Sequence, residues 1–316
     1  MEHSPLNELN ATGYNNTSGL RLLNDLLRGK YVPHGQWRKV VFRAKYAVRT
    51  LIYPVQTLNV LANIAADPLW QKAFSVQTTL AEKVHKPYLY LGLPASQRCA
   101  TLLSHYNFVE NIANSAVRNA FLSQTGDVVA AFSGKEGEMF TLRLGSLGKS
   151  EREGEATLFF DMDDIRLAAL TFSVTSRPAG RALVIGGLQG AHRDTPHETI
   201  KLATKACYGL FPKRMLIECL QLMAGQWGIK RILAVNDRSH IFRSLRYRHR
   251  KRTVFLASYN EFWDSISATP YSSSLYDVPL SLPRKGIEDI ASKKRSEYRK
   301  RYLLLDDLAR QLSALI

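Results

Sequence analysis

The hydrophobic pattern of the chain changes period once, at Thr125-Gly126-Asp127, and no fold built from one type of secondary structure accommodates that change. On the N-terminal side, residues 19–125 read as helices of moderate length. Pro33, Pro54, Pro68, Pro87 and Pro94 divide them, because proline starts or stops a helix far more readily than it sits inside one. In Trp37–Ile52, apolar residues recur at Trp37, Val40, Val41, Ala44, Val48, Leu51 and Ile52, a helical spacing. A second helix is expected over Ala95–Gln124, with Ser96 as its cap and Leu102, Leu103 and Tyr106 inside it.

Beyond Asp127 the segments are short, β-rich and bounded by turns. Asp127–Ser133 and Met139–Leu144 flank a glycine-containing connection at Gly134–Gly137, the pattern of a hairpin. Ala156–Phe160, Arg166–Thr175 and Arg181–Leu188 read as further strands, mostly antiparallel because their connections are short. Helices return at Glu198–Gly209 and at Pro212–Trp227, the second opening on proline and closing on Gly228. The compact apolar run Arg231–Val235 is then a strand ending at Asn236. The expected fold class is α+β or α/β: a helical N-terminal region over 19–125, then a mixed sheet with flanking helices over 126–316. The polar residues 1–18 are expected to be a disordered lead.

With 45% apolar and 22% charged residues, a core can be buried and wholesale disorder is excluded. The balance of charge is unusual: 43 Lys and Arg against 27 Asp and Glu give a net +16. Such a field attracts phosphates, whether of RNA or of anionic lipid headgroups. Cys99, Cys207 and Cys219 have no CxxC spacing and fit neither a zinc set nor a disulfide framework, which suits a reducing compartment. The N-terminus lacks the pattern of a signal peptide, and no apolar window is long enough to span a bilayer. A cytoplasmic location is expected.

The positive charge is clustered. Arg238–Arg252 holds seven Lys and Arg, two His and no acid, interleaved with Ile241, Phe242, Leu245 and Tyr247. Arg243, Arg246, Arg248, Arg250, Lys251 and Arg252 are the candidate polyanion-binding residues, since uncompensated cations repel one another without a partner. A solvated helix face followed by a turn is the competing structural reading. Lys293–Arg301 is a second basic tract, better explained as a terminal amphipathic helix packed on its domain. Trp37–Ile52 is the third. Its Arg38, Lys39, Arg43, Lys45 and Arg49 beside an apolar stripe and a Trp suit a membrane-surface helix, hence a peripheral inner-membrane contact. An ordinary core helix explains the same stripe.

Nucleophile elbows, phosphate loops, HExxH and dinucleotide fingerprints are absent from the sequence. His192, Asp194 and His197 cluster between a strand and a helix, where two imidazoles and a carboxylate could carry protons or ligate a metal; a plain surface loop is the alternative, and no metal is expected. Glu218, on an apolar helix, is a candidate buried base or else the partner of a nearby cation.

Several ordered motifs resemble the VirK/YbjX family of bacterial proteins: Leu188-Gln-Gly190, Tyr259-Asn-Glu-Phe-Trp263, Ser274-Leu-Tyr-Asp-Val-Pro-Leu280, and Lys293-Lys-Arg-Ser-Glu-Tyr-Arg-Lys-Arg-Tyr302 leading to Leu305-Asp306. The resemblance implies a virulence-associated accessory factor. Such a factor supports proper, post-transcriptional expression of an outer-surface protein and resistance to cationic antimicrobial peptides; the resemblance carries no catalytic residues and leaves the protein client open. The order of elements is also similar to that of GNAT acyltransferases, in which a strand meander leads to a pyrophosphate-binding loop, a helix, and a strand ending in Asn. That similarity implies acyl-CoA as a cofactor, with Gln189, Gly190 and Asn236 as its binding residues. The GNAT loop would need glycine at 192, where His192 stands. An envelope-modifying acyltransferase and an RNA-binding regulator are thus the alternatives to the accessory factor.

Overall fold

The computed structural model describes residues 18–146, 150–243 and 258–315. Six helices come first: α1 (Ser18–Arg28), α2 (Val40–Ile52), α3 (Pro54–Ala66), α4 (Pro68–Val76), α5 (Ala95–Glu110) and α6 (Ser115–Ala120). Prolines set several starts. Pro54 and Pro68 stand in the first turns of α3 and α4, and Asp67 caps α4 by accepting from the Leu69 and Trp70 N–H groups.

The expected helix over Ala95–Gln124 is two helices. The Asn114 side chain accepts from Ala116 and Val117 N–H and so starts α6 afresh, and Pro94 takes the cap position expected of Ser96. The stretch from Trp37 is divided as well. Gly35–Arg38 is a 3-10 turn, and α2 begins at Val40.

Strands β1 (Asp127–Ser133), β2 (Met139–Gly145), β3 (Ala156–Met162), β4 (Ile165–Arg177) and β5 (Gly180–Gly190) form an antiparallel meander. The β3–β4 hairpin turns on Asp163 and Asp164, both at positive φ, which suits the right-handed strand twist. Helices α7 (His197–Ala206) and α8 (Pro212–Gln226) follow, then β6 (Arg231–Val235), α9 (Tyr259–Ser265), β7 (Thr269–Pro270), β8 (Leu275–Val278) and α10 (Ser292–Leu315). The α7 helix ends just before Tyr208 and Gly209, both at positive φ. Among the described residues, eight strands lie in the order β1-β2-β3-β4-β5-β6-β8-β7, and β5–β6 pair in parallel.

One core runs from Leu22 and Trp37 in the helices, through Phe140 and Phe172 in the sheet, to Leu308 in α10. All three cysteines are buried and free, and burial pushes the Cys219 thiol up to about 12. No helix among the described residues is long and apolar enough to cross a membrane.

Candidate functional site

The β5 strand holds the least regular part of the sheet. Ile185 pairs with Phe172 and Gly187 with Thr171, so Gly186 is an extra, bulged residue. β6 pairs only with Ala182–Ile185, so from the bulge onward β5 runs beyond its reach. Two glycines are needed here because another chain segment presses on them. A Cβ on Gly186 would lie 1.9 Å from the Glu153 carbonyl oxygen, and one on Gly187 would lie 2.3 Å from the Glu153 carboxylate.

Glu153 is wholly buried and its carboxylate is fully engaged. Gln189 Nε2 donates to Oε2 at 2.9 Å, and His240 Nε2 meets Oε1 at 3.1 Å. The Phe242 N–H donates to His240 Nδ1 at 3.3 Å, so the imidazole proton sits on Nε2 and points at Glu153. The imidazole stacks on Tyr259, with ring centres 5.1 Å apart. Tyr259 Oη in turn accepts the Leu188 N–H at 3.1 Å, on the stretch of β5 that β6 does not reach, and burial raises its phenol pKa. Trp263 Nε1 donates to the Val235 carbonyl at the end of β6, and Asp237 accepts the Tyr259 N–H. Both ring nitrogens of His240 and both oxygens of Glu153 are therefore used within the protein. The arrangement acts as a clasp that fastens α9 and the segment after β6 to the bulge.

The structure brings only some of the expected site residues to this place. Gln189 is in the clasp and Gly190 ends β5. Asn236 shapes the turn after β6, accepting from Arg238 and Ser239 N–H and donating to the Ser273 carbonyl. His192 and Asp194 pair with each other at 3.2 Å in an exposed loop, and His197 begins α7. Glu218 is paired with Arg214 one turn away at 3.2 Å. Of the basic cluster, Arg243 is exposed, whereas Ser239, His240 and Ile241 are buried. Arg246, Arg248, Arg250, Lys251 and Arg252 lie outside the described residues. Glu153, His240 and Tyr259 are outside the candidate residues that the sequence suggests.

A second feature lies on α2. Val40, Val41, Ala44, Val48, Leu51 and Ile52 fall within an arc of about 120° at 3.6 residues per turn, and all six face solvent. The five larger ones are 58–81% exposed. The buried side of α2 is Tyr46 and Thr50. Tyr46 Oη donates to the Ala81 carbonyl, and its ring packs on Trp37 and His85. The apolar stripe is thus not a core stripe, and Trp37 is a core residue with no exposed surface rather than an interfacial one. Val55, at the start of α3, extends the patch at 63% exposure.

The fold is that of a helical layer set on a mixed, mostly antiparallel open sheet, with a buried carboxylate–imidazole clasp at its parallel β5–β6 junction. The family described as "Protein of unknown function (DUF535)" matches residues 35–314. The chain is 36% identical over all 316 residues to the uncharacterized protein YbjX of Escherichia coli (strain K12), covering 96% of that protein. It is also 36% identical over 279 residues to an uncharacterized protein of Haemophilus influenzae, covering 88% of this chain and 91% of the relative. The chain belongs to this family, the VirK/YbjX family that its motifs resemble.

Proposed function

We propose that the chain is a peripheral accessory factor working at an anionic membrane surface. There it supports post-transcriptional production of an outer-surface virulence protein and resistance to cationic peptides, the role the family resemblance implies. The observation that supports the membrane reading is the outward apolar face of α2. Residues 26–66 contain seven Lys and Arg (Arg28, Lys30, Arg38, Lys39, Arg43, Lys45 and Arg49) and no acid. An exposed apolar ridge in an acid-free basic segment matches an anionic bilayer interface in both components. The cations contribute roughly 1 kcal/mol each near such a surface, and burial of the valines, Leu51 and Ile52 adds an apolar term. RNA supplies the phosphates but no apolar phase for these side chains.

Co-sedimentation with phosphatidylglycerol vesicles and with phosphatidylcholine vesicles tests this reading. Binding to the anionic vesicles at low salt is expected, with at least a tenfold loss on Val48→Asp/Leu51→Asp and a smaller loss on Lys39→Glu/Lys45→Glu. Equal retention by the double aspartate variant, or single-stranded RNA binding that exceeds vesicle binding and ignores these substitutions, overturns it.

The layout of the sheet favours a second reading, an envelope-modifying GNAT-like acyltransferase. A meander leads into the bulged β5, then to helices, then to a parallel strand ending at Asn236. The residues present do not fit acyl-CoA along β5 as they stand, because Tyr259 Oη holds the Leu188 N–H and His192 replaces the loop glycine. A rise in melting temperature on adding acetyl-CoA, lost in Gln189→Ala, supports this reading; no shift with acetyl- or palmitoyl-CoA defeats it.

A further inference from the structure

We propose that two adjoining hollows beside α7 form a binding site for a lipid phosphomonoester with a single acyl chain. The first is a mainly apolar hollow of 410 Å³ lined by Leu167, Gly190, Ile200, Phe211, Phe262 and Ile266, with Lys213 and Arg214 also on its wall. The second is a groove of 680 Å³ between α7 and α10, lined among others by Lys135, Lys201, Lys205, Lys293 and Lys300. Both volumes lie in the range of small-molecule sites. Ile200 and Phe211 line both hollows, so the cavity and the groove meet there. Phe211 is 65% exposed at that junction, an unusual position for a large ring.

Charge selects the occupant. Lys201 pairs with Glu198 and Lys205 with Glu136, and Glu297 on the groove wall is held by Arg301. Among the described residues, Lys135, Lys293 and Lys300 meet no carboxylate within ion-pair distance. A fatty acid would satisfy one of these ammonium groups. A phosphomonoester carries close to two charges and several acceptor oxygens, and so suits a cluster of lysines. The acyl chain would lie in the cavity past Phe211 and the phosphate on the groove lysines. This inference stands on residues around α7, α8, α9 and α10 and does not depend on the membrane reading of α2.

Octyl phosphate, a short-chain phosphomonoester, is the probe, with octanol and inorganic phosphate as its two halves, measured by calorimetry on the full chain. Octyl phosphate is expected to bind at least tenfold more tightly than either half. Gly190→Leu fills the cavity at little structural cost, since a Cβ there meets only the mobile end of Lys213 at 3.6 Å; it should weaken octyl phosphate at least tenfold and leave phosphate unchanged. Phe211→Ala, at an exposed ring, is a second tail variant with the same expected direction. Lys293→Glu/Lys300→Glu should remove the preference of octyl phosphate over octanol. Val48→Asp/Leu51→Asp should bind octyl phosphate as the parent does, so failure at α2 and failure here are told apart. Equal binding of octyl phosphate and octanol by the parent, or parental affinity in both Gly190→Leu and Phe211→Ala, overturns the proposal.

Discussion

The amphipathic helices α2 and α10 carry similar apolar stripes but present them in opposite senses. In α10 the apolar stripe points inward: Leu304, Leu305, Leu308 and Leu312 are buried, although Leu303 is exposed, while the cations of Lys293–Arg301 lie toward the surface or the lysine groove. In the N-terminal layer the stripe of α2 is reversed, and charged groups join the apolar core. The valines of α2, with Leu51 and Ile52, face solvent, while Glu82, Lys83, His85, Lys86 and His105 are buried. Lys83 Nζ meets Glu155 Oε1 at 2.5 Å, Tyr106 Oη donates to Glu155 Oε2 at 2.6 Å, and Gln77 bonds to Lys83. This layer buries ion pairs within its apolar core and leaves the aliphatic ridge of α2 outside, an arrangement that packing energy alone does not favour.

Breaking the polar interior should have the largest effect. Lys83→Met leaves Glu155 buried beside Tyr106 without its cation and should cost about 3–5 kcal/mol, read as a lower urea midpoint. Adding Glu155→Gln should recover much of that loss, since the unpaired charge goes with it. If Lys83→Met is neutral on its own, the interior of this layer is less polar in effect than its contacts indicate. In α10, the matching test is Leu308→Ala at a fully buried position, expected to cost about 2–5 kcal/mol through lost burial and a cavity. There no second substitution should restore stability as simply as in the charged pair.

Acidification sharpens the same contrast. His105 accepts the Val174 N–H at Nδ1, and burial holds its pKa down to about 4 from an ordinary 6.5, with Lys83 adding to the depression and Glu155 opposing it. His85 is lowered to about 4 as well, by burial and by Arg49 and Arg98. Between pH 6.5 and 4 the unfolded chain binds more protons than the folded one. These histidines therefore support stability fully above pH 6.5 and cease to do so as pH falls toward 4. The loss attributable to His105 is at most about 3 kcal/mol. His105→Gln should flatten the fall in stability across that window; an unchanged slope would place the acid sensitivity elsewhere.

The change of period at Gly126 and the turn-bounded strands made the order of helices and strands legible, because those signals are local. Which way an amphipathic helix faces is not local. The stripe of α2 and that of α10 have similar spacing, yet Tyr46, anchored on Ala81, Trp37 and His85, turns the first stripe outward. The clasp was hidden for the same reason. Glu153 is 87 residues from His240 in sequence, and His240 sits within a run of cations where charge is the dominant signal. One signal was available: adjacent glycines at 186 and 187 inside an apolar strand mark a close approach by another segment. The GNAT resemblance points to Gln189 as a cofactor-binding residue, whereas in the structure its side chain holds the Glu153 carboxylate.

The smallest expected change in stability is the most informative about α2. Leu51 is 81% exposed, so Leu51→Asp should alter unfolding free energy by no more than about 0.5 kcal/mol, while an aspartate at Leu308 should prevent folding. A leucine that packed on the core through some unrecognised arrangement could not meet that expectation, since burying a carboxylate without a partner costs several kcal/mol. Near-parental stability together with lost vesicle binding separates a side chain kept for a partner from one kept for the fold. A large stability loss at Leu51 would instead return α2 to the conventional class and remove the contrast between the two helices.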